Sequence, residues 1–260
     1  AQYLIADLAG DPSSKQHALD VANQAVARAP SLAEAYAARG VTRSAFFRDW
    51  AGAQADFARA LQLDPASADV QLGNYRLSMA LGRHQDAVDQ ARKAIRLDPL
   101  NSYAWICLGR AMLVTGDKDG ALKAMQRGRD ISPDSILAGF GLGTVELVQG
   151  RASDALATFR AGQDVYSLAG IAMAEHSLGH RRQSQQAVDE AAAKYGKNGS
   201  YQIAEAYAWR GEYDKAFEWL DKALEQGDGG LSFLKSDALM AGLVGDPRYA
   251  ALLKKMGLPE

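Results

Sequence analysis

A period of 34 residues constrains this chain more than any other feature. Pro30, Pro65, Pro99 and Pro133 follow one another at intervals of 35, 34 and 34 residues. Ala18, Ala53, Ala87, Ala121 and Ala155 keep the same step, at 35, 34, 34 and 34. Gly82, Gly116 and Gly150 are 34 apart, each closing an apolar segment before a polar turn. The prolines end related phrases: ARALQLDP at 58–65, RKAIRLDP at 92–99 and RGRDISP at 127–133. Self-similarity at a fixed period of this length is the mark of a stacked-repeat architecture, in which each unit buries its apolar face only against its neighbours.

Each period contains two helical patterns. In Ser102–Thr115, Trp105, Leu108, Gly109 and Met112 recur at three and four residues, one face of a helix. Gly116 ends that helix because glycine accepts left-handed backbone geometry. Lys118–Ile131 is a second amphipathic helix with Ala121, Met125 and Gly128 inward, and Pro133 prevents its simple continuation. The small residues Gly109 and Ala121 allow the two helices to approach closely. The composition agrees, since 49 of the 260 residues are alanine and only 8% are aromatic, which suits close helix contacts better than sheets.

The pattern W-x-x-L-G-x-x-M, then A-x-x-x-M-x-x-G-x-x-x-x-P, at 105–133 resembles the tetratricopeptide repeat. The resemblance extends over nearly the whole chain. It implies an all-α, right-handed superhelical solenoid of about seven helix pairs with a concave inner groove, forming a single domain over 1–260. The repeats are placed at about 1–32, 33–67, 68–101, 102–135, 136–164, 165–196 and 197–228. A pair of capping helices is placed at about 231–243 and 246–256. Leu231, Phe233, Leu234, Leu239 and Leu243 are expected to cover the end of the seventh repeat. Asp246-Pro247 reads as the N-cap and first residue of the last helix. Two irregularities are expected: one extra residue within FFRDWAGA at 46–53, and a compressed sixth repeat near 164–168, where Gly179 follows Gly150 by only 29 residues.

Residues 48–61 and 201–259 further resemble the C-terminal repeat regions of bacterial multidomain signalling proteins. In such proteins the array follows a winged-helix, nucleotide cyclase or Ser/Thr kinase domain. The chain lacks an initiator methionine, and this resemblance favours a piece of such a parent, with the bacterial cytoplasm slightly preferred as its compartment. The alternative is a free-standing exported adaptor in envelope assembly.

Several functions are disfavoured by the residues. The formal charge of −2, from 29 basic and 31 acidic residues, does not supply the basic face of a direct nucleic-acid binder. No apolar run approaches the roughly 18 residues of a membrane span. The glycine-rich GFGLGT at 139–144 follows no strand and has no Lys before Ser/Thr, so it reads as helix packing and not as a phosphate loop. His176 and His180 are four apart, but Ser177 stands where a zinc protease has Glu, and His180 falls just past the turn glycine. Cys107, the single cysteine, reads as a packing residue. No catalytic set, metal site or cofactor is expected.

The family geometry instead implicates the concave groove. By position within the first helix of each repeat, it would be lined by Asp69, Leu72, Arg76 and Met79, by Tyr103, Ile106, Arg110 and Leu113, and by Leu137, Phe140, Thr144 and Leu147. Arg76 and Arg110 share one phase. An arginine fork can hold a carboxylate bidentately while Leu72, Ile106 and Phe140 seat an apolar side chain. The competing reading is that these arginines form bridges between helices or cover apolar surface with their stems. The Lys/Asn carboxylate clamp of chaperone-binding repeats is absent. The expected activity is non-catalytic binding of a protein or peptide, with an acidic or carboxylate group as the feature recognised.

Overall fold

The computed structural model describes residues 12–258, and these are helical throughout, with no strand among them. The helices run α1 (Pro12–Arg28), α2 (Ala33–Thr42), α3 (Trp50–Leu63), α4 (Ala68–Ala80), α5 (His84–Leu97), α6 (Ser102–Val114) and α7 (Lys118–Ile131). They continue as α8 (Ile136–Val148), α9 (Ala152–Phe159), α10 (Val165–Ser177), α11 (Arg181–Tyr195), α12 (Ser200–Trp209) and α13 (Tyr213–Gln226). Two 3-10 segments, Gly229–Ser236 and Ala238–Leu243, precede the last helix, α14 (Pro247–Lys255). Residues 1–11, where the first helix of the first repeat is expected, lie outside the described residues.

One local device recurs along the solenoid. Gly82, Gly116, Gly150, Gly179 and Gly211 all have φ between 72° and 90°. After each of them the next amide reaches back to a carbonyl five residues earlier, as in Arg83 N–H to Ser78 O (2.8 Å) and Asp117 N–H to Met112 O (2.9 Å). This closes the last turn of the first helix of a pair and reverses the chain. Four of the first helices open on a side-chain cap: Ser67, Asn101, Ser135 and Asp164 each accept the amide three residues on. The pairs stack through small residues. A Cβ on Gly109 would lie 3.0 Å from Met125 Cε and 3.1 Å from the Ala121 carbonyl, so α6 and α7 meet nearly backbone to backbone.

The two irregularities have structural forms. The extra residue of the second pair is taken up as a π-helical turn, Arg43–Phe47, after which Arg48 adopts φ 52°. One inserted residue costs least as such a bulge. The compression falls just before 164–168: α9 has eight residues where α3, α5, α7 and α13 have 14. It ends at Phe159, whose ring fills the space above Gly143 and Gly170.

One expectation is corrected. Residues 231–243 do not form a single helix. Asp237 sits between the two 3-10 segments in extended geometry (φ −106°, ψ 112°), and its carboxylate accepts the Leu239 amide at 2.9 Å. Asp228 likewise accepts the Gly230 amide (2.9 Å) and the Tyr201 amide (3.1 Å). Short acidic side chains here satisfy the backbone locally and so compete with a continuous helix. The last helix is as expected, with Asp246 capping the Arg248 amide and Pro247 at its first position.

The tail does more than close one end. Leu231, Leu234, Leu239 and Leu243 join the cluster of Tyr201, Ile203 and Leu220 at the seventh pair. Phe233 does not; it belongs to a cluster with Leu72, Tyr75, Met79 and Leu108 of the third and fourth pairs. Farther on, Trp50 Nε1 donates to the Met256 carbonyl at 2.9 Å, joining positions 206 residues apart. The solenoid therefore curls until its own C-terminal segment lies across its inner face.

Candidate binding groove

The inner face is built by first helices α4, α6, α8, α10 and α12, and the repeat period brings equivalent side chains into line along it. Arg76 on α4 and Arg110 on α6 point at the same object, the ring of Phe233, with guanidinium carbons 5.4 and 4.8 Å from its centroid. Such cation–aromatic contacts are worth roughly 0.5–2 kcal/mol each, depending on desolvation. Arg76 Nη1 also donates to the Tyr103 hydroxyl at 3.4 Å. Neither arginine has a carboxylate oxygen within 4.0 Å among the described residues.

The remaining expected groove residues divide by depth. Leu72, Ile106, Phe140 and Thr144 are buried, Leu72 in the cluster that Phe233 completes. Ile106 lies beneath the surface, against Gly128 of α7, and Leu137 is half-buried beside it in one cluster. Phe140 meets Phe159 and Tyr166 at centroid distances of 5.9 and 5.1 Å. Tyr103 is half-buried, and burial pushes its hydroxyl up to about 12, as it does the Cys107 thiol. A thiol so protonated is a poor nucleophile. The GFGLGT stretch lies inside α8, where Gly141 and Gly143 face Met125 and Phe159, leaving no room for a phosphate.

The sequence did not point to the polar group at the centre of this face. Glu205 on α12 is 2% exposed, and Asp237 of the tail lies against it. Burial, then the neighbouring Asp237, holds the Glu205 carboxyl well above the usual carboxylate range, while Arg110 works in the opposite direction. Tyr201 donates its hydroxyl to Asp237 Oδ2 at 2.8 Å. Burial opposes the Arg110 charge, but the field of Tyr75, Asp237 and Glu205 outweighs it and raises its pKa. A cavity of about 30 Å3 remains here, lined among others by Arg110, Phe140, Thr144, Glu205, Phe233 and Asp237. Thr144 Oγ1 and Glu205 Oε2 are buried in this region without a hydrogen-bond partner. A second tie fixes the tail nearby: Ser236 donates to the Met79 carbonyl and accepts from His84 Nε2 at 2.9 Å.

Residues elsewhere that could carry chemistry are held by structure. His180 Nδ1 and Arg160 both engage the buried Glu175, each at 2.7 Å, and Asp56 is bound by Arg39 and Arg43. No group of three or more metal-ligating side chains occurs among the described residues, and no described helix is long and apolar enough to cross a membrane.

The tetratricopeptide repeat profile matches residues 76–136. No curated protein matches the chain significantly. Among solved structures, it is similar to a tetratricopeptide repeat protein from Parabacteroides merdae, at 14% identity and a TM-score of 0.65, covering 94% of this chain and 93% of that one. It is similar to the Cut9-Hcn1 hetero-tetramer of APC/C at 17% identity and a TM-score of 0.64, covering 93% of this chain but spanning only 46% of that longer one. It is also similar to PilW, described as a type IV pilus biogenesis factor, at 18% identity and a TM-score of 0.62, covering 71% and 87% of the two chains. At these identities the likeness concerns the fold. With the repeat profile at 76–136, a 34-residue period running to either side of it and this stacking of helix pairs, the chain has the fold of a tetratricopeptide-repeat solenoid.

Proposed function

We propose that this chain is a non-catalytic interaction module that holds a peptide or partner domain against its inner face, and that it serves as the regulatory part of a larger bacterial signalling protein. The observation that carries the binding reading is the pair Arg76 and Arg110, converging on one aromatic ring from successive repeats. A preformed pair of guanidinium groups on stacked helices leaves most of the ordering cost to the incoming peptide. The signalling context rests on the resemblance of residues 48–61 and 201–259 to repeat regions of such proteins.

The test uses the full chain immobilised, followed by calorimetry on the partner recovered. Arg76→Ala and Arg110→Ala should each weaken that partner by about 1.5–3 kcal/mol, the range for hydrogen bonds to charged groups. Arg92→Ala, on the second helix of the third pair, should leave it unchanged. Equal binding by all three variants would move recognition to the convex face.

A further inference from the structure

The segment lying on the inner face joins repeats that are far apart in the chain. Its aliphatic anchors Leu231, Leu234 and Leu239 are sunk in the seventh pair. Phe233, Lys235 and Ser236 reach across to the third and fourth pairs, through the two arginines, Gly82, Met79 and His84. The fit beneath that crossing is incomplete. A cavity remains, Thr144 Oγ1 is unsatisfied beside it, and both guanidinium groups offer their faces to Phe233 while their edges find no carboxylate. Imperfect packing and pairing at this crossing mark a contact that a better ligand can replace.

We propose that Phe233 is an internal placeholder in the groove, and that the external partner is a peptide with an aromatic side chain next to a carboxylate, which takes its place between Arg76 and Arg110. The inference rests on the groove reading above and specifies its partner and its regulation. The incoming ring would reproduce the cation–aromatic contacts of Phe233, while the carboxylate would use the donor edges that the tail leaves idle. Displacement would be local, because Leu231, Leu234 and Leu239 keep the tail anchored to the seventh pair. Binding would then be weakened in the intact chain by the fraction of molecules whose groove is open.

The experiment is fluorescence anisotropy with a labelled decapeptide of residues 229–238 carrying Leu234→Glu and Lys235→Glu, which puts carboxylates beside its phenylalanine. The intact full chain should bind it weakly, and the Phe233→Ala chain about tenfold or more tightly, as expected if the groove is open in a tenth of molecules or fewer. Adding Arg110→Ala to the Phe233→Ala chain should abolish the gain, and a peptide with alanine in place of its phenylalanine should not bind. Circular dichroism checks that helix content is retained. If Phe233→Ala loses helix, Ser236→Ala, which frees the segment from Met79 and His84 without emptying the aromatic site, should give a smaller gain of the same sign. Equal affinity for the intact and loosened chains, or a gain indifferent to Arg110, overturns the placeholder. Should the calorimetric partner still depend on Arg76 and Arg110 in that case, the groove reading stands and only this inference falls; if that dependence is missing too, both fall.

Discussion

The fourth repeat and the C-terminal tail follow opposite rules. Between Ser102 and Ile131 the chain satisfies itself locally: Asn101 caps α6, Gly116 turns it, Asp117 caps α7, and Gly109 lets the two helices touch. In the tail, the defining contacts join residues 152, 157 and 206 apart, and the backbone between Gly229 and Leu243 never settles into an α-helix. A repeat is specified by its own sequence and an adjacent copy of itself. The tail is specified by the curvature that all the repeats together produce.

Removing the tail tests that contrast most severely. Leu231, Leu234, Leu239, Met240 and Leu243 are at most 3% exposed, and burying such side chains is worth about 1.5–3 kcal/mol each. Their sum rivals the roughly 5–15 kcal/mol of a whole domain. Truncation after Gly230 should therefore aggregate or melt far below the parent chain. A truncated chain that stays monomeric with unchanged thermal stability would show that the tail is an appendage.

A change within one repeat should cost less. Gly109→Leu drives a side chain against Met125 and the Ala121 carbonyl, which lies on the backbone and cannot swing away. Overpacking of this kind costs typically about 1–3 kcal/mol, or about 2–4 °C in melting temperature per kcal/mol for a chain of this size. Calorimetric melting checks it. An unaltered transition would mean that neighbouring pairs can slide apart, and that the repeat is less rigidly specified than its period suggests.

The difference between the regions also explains what could be read in advance. The glycine turns, the caps and the small positions at Gly109 and Ala121 are each fixed by residues within one period, so the helix pairs were legible. The phase of Arg76 and Arg110 was legible for the same reason, since residues 34 apart on stacked helices face one channel. The ring lying between them was not. Phe233 looks like any apolar residue of a terminal cap, and only the accumulated superhelical curvature carries it back to the third and fourth repeats. Glu205 was hidden too, a lone acid in an alanine-rich helix whose partner, Asp237, arrives on a different segment.

Glu205 sharpens the comparison through pH. Its pKa is raised in the folded chain by burial and by Asp237, so the folded state keeps a proton that the unfolded chain gives up above about 4.3. Its contribution is fully present below that value and is lost as pH rises towards the folded pKa. Glu205→Gln, which keeps the shape without the titration, should raise the melting temperature at pH 8 and change it little at pH 4. A variant less stable than the parent at pH 8 would mean that the carboxylate is ionised and held there by Arg110.

His84 should give the smallest effect, with the opposite sign. Burial, then the nearby Lys235 charge, lowers its pKa below the usual 6.5, so the unfolded chain takes up a proton more readily than the folded one. Its contribution is present above about pH 6.5 and is lost as pH falls through that value to the depressed folded pKa. Because Nε2 donates to Ser236, the loss should concentrate where the tail crosses the third repeat. Hydrogen exchange of segment 233–243 should accelerate between pH 7 and pH 5.5, after correction for intrinsic rates, while that of α6 and α7 stays unchanged. His84→Gln, which can still offer a donor to Ser236 but does not titrate, should flatten this dependence. Acceleration spread evenly over all the repeats would instead place the acid sensitivity in the solenoid as a whole, and the tail crossing would lose its claim to be the weaker of the two regions.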